Sequence, residues 1–365
     1  MADSSLPRTY PDGKKLYDYQ TVRGTKRQAQ QKLTELVRGL DTGEYVEPNQ
    51  ETVSRYLRRW LDMKRIKVRP RTIEFYELRI RHLDKLIGSI SLQRLSPLHI
   101  EQAYGQLTRE VSPAMAAGAH RTLRAALNQA VKWRLIAVNP VAAVDPPRAH
   151  RPVITPLTPK QVGAFLEAAA KTPLYSLYLA GVLTGLRRGE LLALRWDDVD
   201  LKGKTITVQR TLTKGGPNAI FSPTKTRSGY RVVEISDVLV SVLRGHRRQQ
   251  REHRLLLGSI WIENNLVWPS ECGTAMTPSV LHRHFKKLLE AAELSKGTRF
   301  HDLRHTHASL LLASGTTSLK LIQERLGHSS ITITADTYSH LLPGAQRKAA
   351  DRLEKMVLKK GASSR

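Results

Sequence analysis

Near its C-terminal end the chain carries Tyr338, ten residues after His328 in the phrase LGHSSITITADTYSH. A phenol is a poor nucleophile at its ordinary pKa of about 10. It attacks a phosphorus centre effectively only with a base nearby and with cations that stabilise the growing charge on the oxygens. The sequence offers such groups at three other stations. In TGLRRGE, Arg187 sits where a glycine breaks one helix and a second begins, so its guanidinium can grip a phosphate with two parallel hydrogen bonds. Glu190 lies one turn on and can orient it. In HDLRH, the i, i+3 spacing sets His301 and Arg304 on one helix face, a proton-transfer group beside a phosphate clamp. In PTKTR, Lys225 sits on a turn from which an ammonium can reach a leaving oxygen.

Each station also has an ordinary reading. Arg187 with Glu190 is what a surface ion pair on an amphipathic helix looks like, HDLRH is also a charged helix face, Lys225 a solvated turn lysine and Tyr338 a packing residue. His301, His305, His307 and His328 could instead approach one another around a metal. Zinc enzymes with i, i+4 histidines usually hold a carboxylate base between them; here the interval is Asp-Leu-Arg, and the arginine, a cation inside the site, opposes a metal.

The elements around these residues follow from punctuation and periodicity. Thr158-Pro159 is a cap followed by proline at the first helical position, and helices are predicted at about 159–171 and 174–195, broken at Gly185. Thr205–Thr213 reads as one strand. Ile220–Lys225 and Tyr230–Ile235 read as a hairpin with Lys225 at its tip, and residues beyond 236 as mainly helix. Upstream, Val53, Tyr56, Leu57 and Trp60, then Ile73, Tyr76, Ile80 and Leu83, follow helical spacing, with further helices at 97–109 and 113–134 and no convincing strand between 51 and 138. Residues 139–159 hold six prolines, at 140, 146, 147, 152, 156 and 159, which marks an extended connection. At the other end, 1–13 look loose, Lys14–Arg23 reads as a short strand, and Thr25 caps a helix over 26–40.

Composition narrows the class of partner. The chain has 365 residues, too many for one ordinary domain, and 40% hydrophobic residues suffice for packed cores. Lys plus Arg total 59 against 32 acids, a formal net charge of +27. The excess runs along the whole chain: 15 − 9 = +6 over residues 1–70, 11 − 6 = +5 over 71–150 and 33 − 17 = +16 over 151–365. That distribution suits domains that all face one polyanion, nucleic acid first. An acidic membrane is the weaker choice, because no apolar run reaches the roughly 18 residues needed to span a bilayer. The N-terminus lacks the apolar stretch of a signal peptide, and the single cysteine, Cys272, excludes an intramolecular disulfide framework and Cys-rich zinc modules. The expectation is an intracellular protein with no membrane partner.

Taken together, the stations are no longer ordinary. Arg187, Lys225, His301-x-x-Arg304, His328 and Tyr338, in that order, resemble the tyrosine recombinase (phage integrase) family, and TGLRRGELLALRWDDVDL, HDLRHTHAS and LGHSS are similar to that family's wording. The motif-bearing likeness covers 158–350. It implies an α+β multi-domain protein: a partial N-terminal arm-binding-like segment over 1–50, a helical core-binding (SAM-like) DNA-binding domain over 51–138, a linker over 139–157, a mainly helical catalytic domain with a small antiparallel sheet over 158–350, and a helix end and tail over 351–365. The family's arm domain has three strands, where one clear strand precedes the helix here. The resemblance also implies roles. Tyr338 is the nucleophile giving a 3′-phosphotyrosyl link, Arg187 and Arg304 clamp the non-bridging oxygens with His328, and His301 is base or positioner. Lys225 protonates the leaving 5′-oxygen, with Glu190 in support, and neither cofactor nor metal is required. The implied setting is a bacterial cytoplasm, on DNA, where a homotetramer acts on two duplexes at attachment sites and integrates and excises a prophage or mobile element. The accessory partners this admits are an excisionase and a host DNA-bending protein. The helix at 345–358 is a candidate for docking on a neighbouring protomer or packing on its own chain. Rival readings are a type IB topoisomerase, a DNA-binding regulator without catalysis and a histidine-metal hydrolase; within the recombinases, chromosome-dimer resolution is the rival to integration, which the N-terminal extension favours.

Overall fold

The computed structural model describes residues 2–9, 15–22, 25–28, 30, 31, 33, 34, 46–148, 155–224, 227–315, 317–338, 347, 350, 351, 353, 354 and 357. Two compact units divide the chain, Met1–Pro152 and Val153–Arg365.

The first unit opens with β1 (Ala2–Thr9) paired antiparallel to β2 (Lys15–Val22), in a register running from Ala2 opposite Val22 to Thr9 opposite Lys15. The expectation of a loose 1–13 is thus corrected over 2–9. Its sequence, ADSSLPRT, lacks the apolar alternation that announces a strand and contains Pro7. Both members of a two-stranded ribbon are edges, however, and an edge tolerates a residue without an N–H. The described residues between 26 and 34 are helical, with the Gln28 N–H donating to Thr25 Oγ1 at 3.4 Å and the Thr25 N–H to Gln28 Oε1 at 2.8 Å. The remainder of the helix expected to 40 lies outside the described residues.

Four helices follow: α1 (Val53–Lys67), α2 (Pro70–Ile87), α3 (Pro97–Glu110) and α4 (Pro113–Lys132). Thr52, Ser96 and Ser112 cap three of them with side-chain oxygens, and prolines occupy the first position of three, where their missing N–H costs nothing. The apolar stripes meet in one core around Tyr56, Leu57, Trp60, Leu83, Leu123 and Leu127. Burying each such side chain contributes about 1.5–3 kcal/mol relative to leaving it exposed. The proline-rich segment begins inside this bundle: Pro140–Ala143 forms a 3₁₀ turn capped by Asn139, which places Val141 and Val144 in the core.

The second unit runs α5 (Pro159–Ala170), α6 (Tyr175–Thr184), α7 (Arg188–Leu192), β3 (Val199–Asp200), β4 (Thr205–Val208), β5 (Arg210–Lys214), β6 (Ile220–Pro223), β7 (Arg231–Glu234), α8 (Asp237–Leu257), α9 (Pro278–Ala291), α10 (Asp302–Ala313), α11 (Leu319–Leu326) and α12 (Ile331–Tyr338). It is the mainly helical arrangement with small antiparallel sheets that the sequence led us to expect. Helix α6 is apolar nearly all round and correspondingly central, packed among Phe165, Trp268, Phe285 and Leu303. The Trp268 indole N–H donates to Ser176 Oγ at 2.9 Å, so this large side chain is buried without an orphaned donor.

The strand pairing departs from the expected hairpin. Thr205–Thr213 is not one strand but two, broken at Gln209. β4 pairs with β7, Thr205 opposite Glu234 to Val208 opposite Arg231, while β5 pairs with β6, Arg210 opposite Pro223 to Lys214 opposite Ile220. β6 and β7 therefore do not pair with each other; they pair with successive halves of the same outgoing segment. The segment between Pro223 and Arg231 connects these two ladders, with Lys225 outside the described residues, and the Thr224 N–H still reaches the Gln209 carbonyl at 3.4 Å. Alternation alone cannot distinguish the two arrangements, because it records which face a residue takes and not which strand it faces. Among the described residues, no helix is long and apolar enough to cross a membrane.

Candidate active site

The site is organised by two helix ends. The last carbonyls of an α-helix lack intrahelical donors and carry the negative end of its dipole, so they are natural anchors for guanidinium groups. Helix α6 ends at Gly185 (φ +65°) and α11 at Gly327 (φ +68°), both left-handed. Glycine is needed at each for space as well as for φ: a Cβ on Gly185 would stand 2.6 Å from His307 Cδ2, and one on Gly327 would stand 2.8 Å from the Ser228 carbonyl oxygen. Arg304, on α10, spans the two ends. Its Nη1 donates to the Gly185 carbonyl at 2.8 Å and its Nη2 to the Leu326 carbonyl at 2.6 Å. Arg187 Nη2 donates to the next carbonyl along, Gly327, at 3.2 Å. Two residues 117 positions apart in sequence (304 − 187) are thus moored to consecutive peptide groups.

Arg187 is also held from its own helix. It is the N-cap of α7, where Glu190 accepts from the Arg187 backbone N–H at 2.9 Å and from Nη1 at 2.7 Å. Glu190 is buried, and its second partner is a residue that sequence reasoning missed. Arg231 Nη2 reaches Glu190 Oε2 at 2.9 Å, with the two side chains 6% and 5% exposed. Burial disfavours the Glu190 carboxylate, but hydrogen bonding and charge from Arg231, then Arg187, outweigh it and hold the group below the ordinary carboxylate range. A sequence signal for Arg231 existed. In the strand RVVE, Val233 points inward and the period of two puts Arg231 on the same buried face, where a lone arginine needs an internal partner.

The histidines separate into two groups. His301 and His305 meet edge to face, ring centroids 5.0 Å apart. Past the end of α11, His328 Nδ1 lies 2.8 Å from Thr334 Oγ1 of α12. His307 turns inward: Nδ1 donates to the Val182 carbonyl at 2.8 Å, and Nε2 accepts from Arg325 Nε at 3.1 Å. Both of its nitrogens are engaged, so His307 stands apart from the four-histidine grouping considered above. Among the described residues no three His, Cys, Asp or Glu side chains are grouped to hold a metal ion.

The rings of His301 and His328 are pushed down to about 4, first by desolvation and then by neighbouring cations, Arg304 and Arg187 among them. Both are neutral at pH 7, the form in which a ring nitrogen can accept a proton. A bound phosphate would offset those guanidinium charges. In an NMR titration, His301 is expected to change protonation below pH 5 in the free protein and above pH 5 once duplex is bound; an unchanged midpoint would show that no phosphate sits beside it.

Lys225 lies outside the described residues, as does the side chain of Tyr338. The Tyr338 backbone is the last turn of α12, whose first half carries Thr334 against His328. What the structure brings together is therefore Arg187, Glu190, His301, Arg304 and His328, joined by Arg231.

Comparison with known proteins agrees with this architecture. Residues 156–344 match the phage integrase family, and residues 52–107 match the phage integrase N-terminal SAM-like domain. A tyrosine recombinase XerC-like protein of Caldanaerobacter subterraneus subsp. tengcongensis is 30% identical over 357 residues, covering 92% of this chain and 90% of the relative. Among solved structures, the integrase of transposon Tn1549 in complex with transposon right end DNA superposes with a TM-score of 0.70 at 23% identity, over 83% of this chain and 99% of that one. A lambda integrase tetramer bound to a Holliday junction gives 0.57 at 20% identity, over 91% of each chain. With more than half its length matched to the family and a full-length relative at this identity, the chain belongs to the phage integrase family of tyrosine recombinases, the enzymes that carry out site-specific DNA recombination through a phosphotyrosyl intermediate.

Proposed function

We propose that Tyr338 is the nucleophile and that the groups moored at the ends of α6 and α11 form its phosphate clamp. The observation that carries this reading is the pair of guanidinium groups on the adjacent Leu326 and Gly327 carbonyls, immediately before His328 and the helix that ends in Tyr338. The Tyr338 oxygen attacks the scissile phosphorus while the P–O5′ bond breaks. The phenol proton passes to neutral His301, and the leaving 5′-oxygen takes a proton from Lys225. Arg187, Arg304 and His328 meet the non-bridging oxygens, where charge grows in the transition state, and Glu190 holds Arg187 in place. The phosphotyrosyl link keeps the bond energy, so rejoining is the same chemistry reversed on a partner strand.

In this reading residues 51–138 are the core-binding domain, 158–350 the catalytic domain, and 1–50 an arm-binding-like segment. The assembly is a homotetramer on two duplexes at attachment sites of a prophage or mobile element, by likeness to the lambda tetramer. An excisionase and a host DNA-bending protein set direction, and the work is done on DNA in the bacterial cytoplasm.

The test is a suicide substrate, nicked so that the cleaved strand diffuses away, made from candidate attachment DNA. The trapped protein–DNA adduct is digested and mapped by mass spectrometry. A phosphotyrosine on the peptide containing Tyr338 is expected. A modification on any other residue, or tight binding to the substrate with no adduct, would overturn the assignment.

A further inference from the structure

We propose that Arg231 is a positioning residue for strand cleavage, fastening the loop that carries Lys225 to the helix ends that hold Arg187 and Arg304. The guanidinium faces three ways at once. Nε donates to the Arg325 carbonyl of α11 at 2.7 Å, Nη1 to the Gly229 carbonyl of the loop at 3.2 Å, and Nη2 to Glu190 Oε2 at 2.9 Å. A planar fork of five N–H groups can serve three acceptors in different directions; an ammonium on a flexible stem cannot hold the same geometry. The contact is close-fitting. A Cβ on Gly327 would stand 2.8 Å from the Ser228 carbonyl oxygen and 2.9 Å from Arg231 Nη1, so the loop backbone and the guanidinium press on the α11 cap where only glycine fits.

The loop's other end is fastened independently, by the Thr224 N–H to the Gln209 carbonyl. The described residues on either side of Lys225 are thus held, Thr224 by the Gln209 carbonyl and Gly229 by Arg231. Pinning both ends of a short loop restricts the positions its middle can sample, which is how a general acid is kept within reach of a leaving group. Arg231 is only 8% exposed and is spoken for by internal acceptors, so it acts through Glu190, the loop and α11 and not on the phosphate itself. Its strand, β7, begins where the connecting segment ends, so the residue that closes the loop is also the first of the second ladder.

The inference rests on the reading above in which Lys225 protonates the 5′-oxygen, and the test separates the two. When the P–O5′ bond breaks, the oxygen takes the bonding pair and needs one proton. With sulfur in place of that oxygen, the leaving thiol has a pKa of about 8.5 and departs as thiolate, with no acid required. Adduct formation is timed on matched oxygen and 5′-phosphorothiolate suicide substrates for wild type, Lys225→Ala, Arg231→Lys and Arg231→Gln. Both Arg231 variants are expected to bind duplex within about three-fold of wild type, to lose roughly 30-fold or more in rate on the oxygen substrate, and to recover at least about ten-fold of that loss on the sulfur substrate. Equal losses on the two substrates while Lys225→Ala is rescued would overturn the inference and leave the Lys225 reading standing. Loss of duplex binding by both Arg231 variants would overturn it as well, because a positioning role leaves binding intact. A Lys225→Ala protein that sulfur does not rescue would remove the general-acid reading, and this inference with it.

Discussion

Arg304→Lys is expected to form phosphotyrosyl adduct about 10²–10³ times more slowly than the wild type, the range found when one preorganised donor to a transition-state oxyanion is removed. Arg304 is 2% exposed and its plane is set by two carbonyls belonging to different helices, Gly185 and Leu326. In the proposed reading, that mooring keeps the group from reorganising as charge develops on the phosphate. A lysine keeps the charge but concentrates its three donors on one atom, which cannot span both helix ends and hold a fixed face toward a third group. The variant should keep its affinity for duplex within a few-fold at the same salt, since duplex binding draws on basic residues spread along the chain. Timed adduct formation beside a binding isotherm checks this. A cleavage rate within ten-fold of wild type would mean that charge alone, and not the mooring, is what the site uses.

Glu190→Ala should lower the melting temperature of the catalytic unit substantially. Removing one partner from a buried ion pair costs about 3–5 kcal/mol, because the remaining charge is left in a medium that solvates it poorly. For a unit of this size each kcal/mol is about 2–4 °C, giving a fall of roughly 6–20 °C. The double variant Glu190→Ala/Arg231→Met removes both charges and should recover at least half of the loss, a coupling that a double-mutant cycle measures directly. Additive losses would show that the two residues stabilise the fold independently. The pH dependence has a definite sign. The Glu190 carboxyl is held below its ordinary value in the folded state, so its contribution is complete above that value and is lost as pH falls through the lowered one. The pair is therefore whole at neutral pH and weakens only under acid conditions.

Much of this was legible in the sequence because it depends on local chemistry. Caps and prolines located α3, α4 and α5 to within one or two residues, and Gly185 announced the break that makes Arg187 an N-cap. The residues read as chemistry-bearing, Arg187, His301, Arg304 and His328, sit at short fixed spacings inside recognisable phrases, and the structure moors Arg187 and Arg304 on adjacent carbonyls just before His328. What escaped was long-range. That β6 pairs with β5 and β7 with β4, instead of with each other, is a choice between two ladders of similar alternation, and the two ladders pack on different helices, β5 against α7 and β7 against α11. Arg231 escaped for the same reason: its partners Glu190 and Arg325 are 41 and 94 residues away, and only the fold brings them together. Residues 2–9 escaped because a ribbon with two edges does not require the apolar pattern by which buried strands are recognised.

The mooring of Arg304 on Leu326 and of Arg187 on Gly327 has a mechanical consequence. Thermal motion of the α11 cap carries both guanidinium groups in the same direction, because the anchors are neighbouring links of one chain. Displacements of that cap are therefore shared by both charges and change the spacing between them less than the position of either. A phosphate gripped by that pair would meet a gauge of constant width on a moving support, so the clamp could follow the DNA as it shifts without losing its fit.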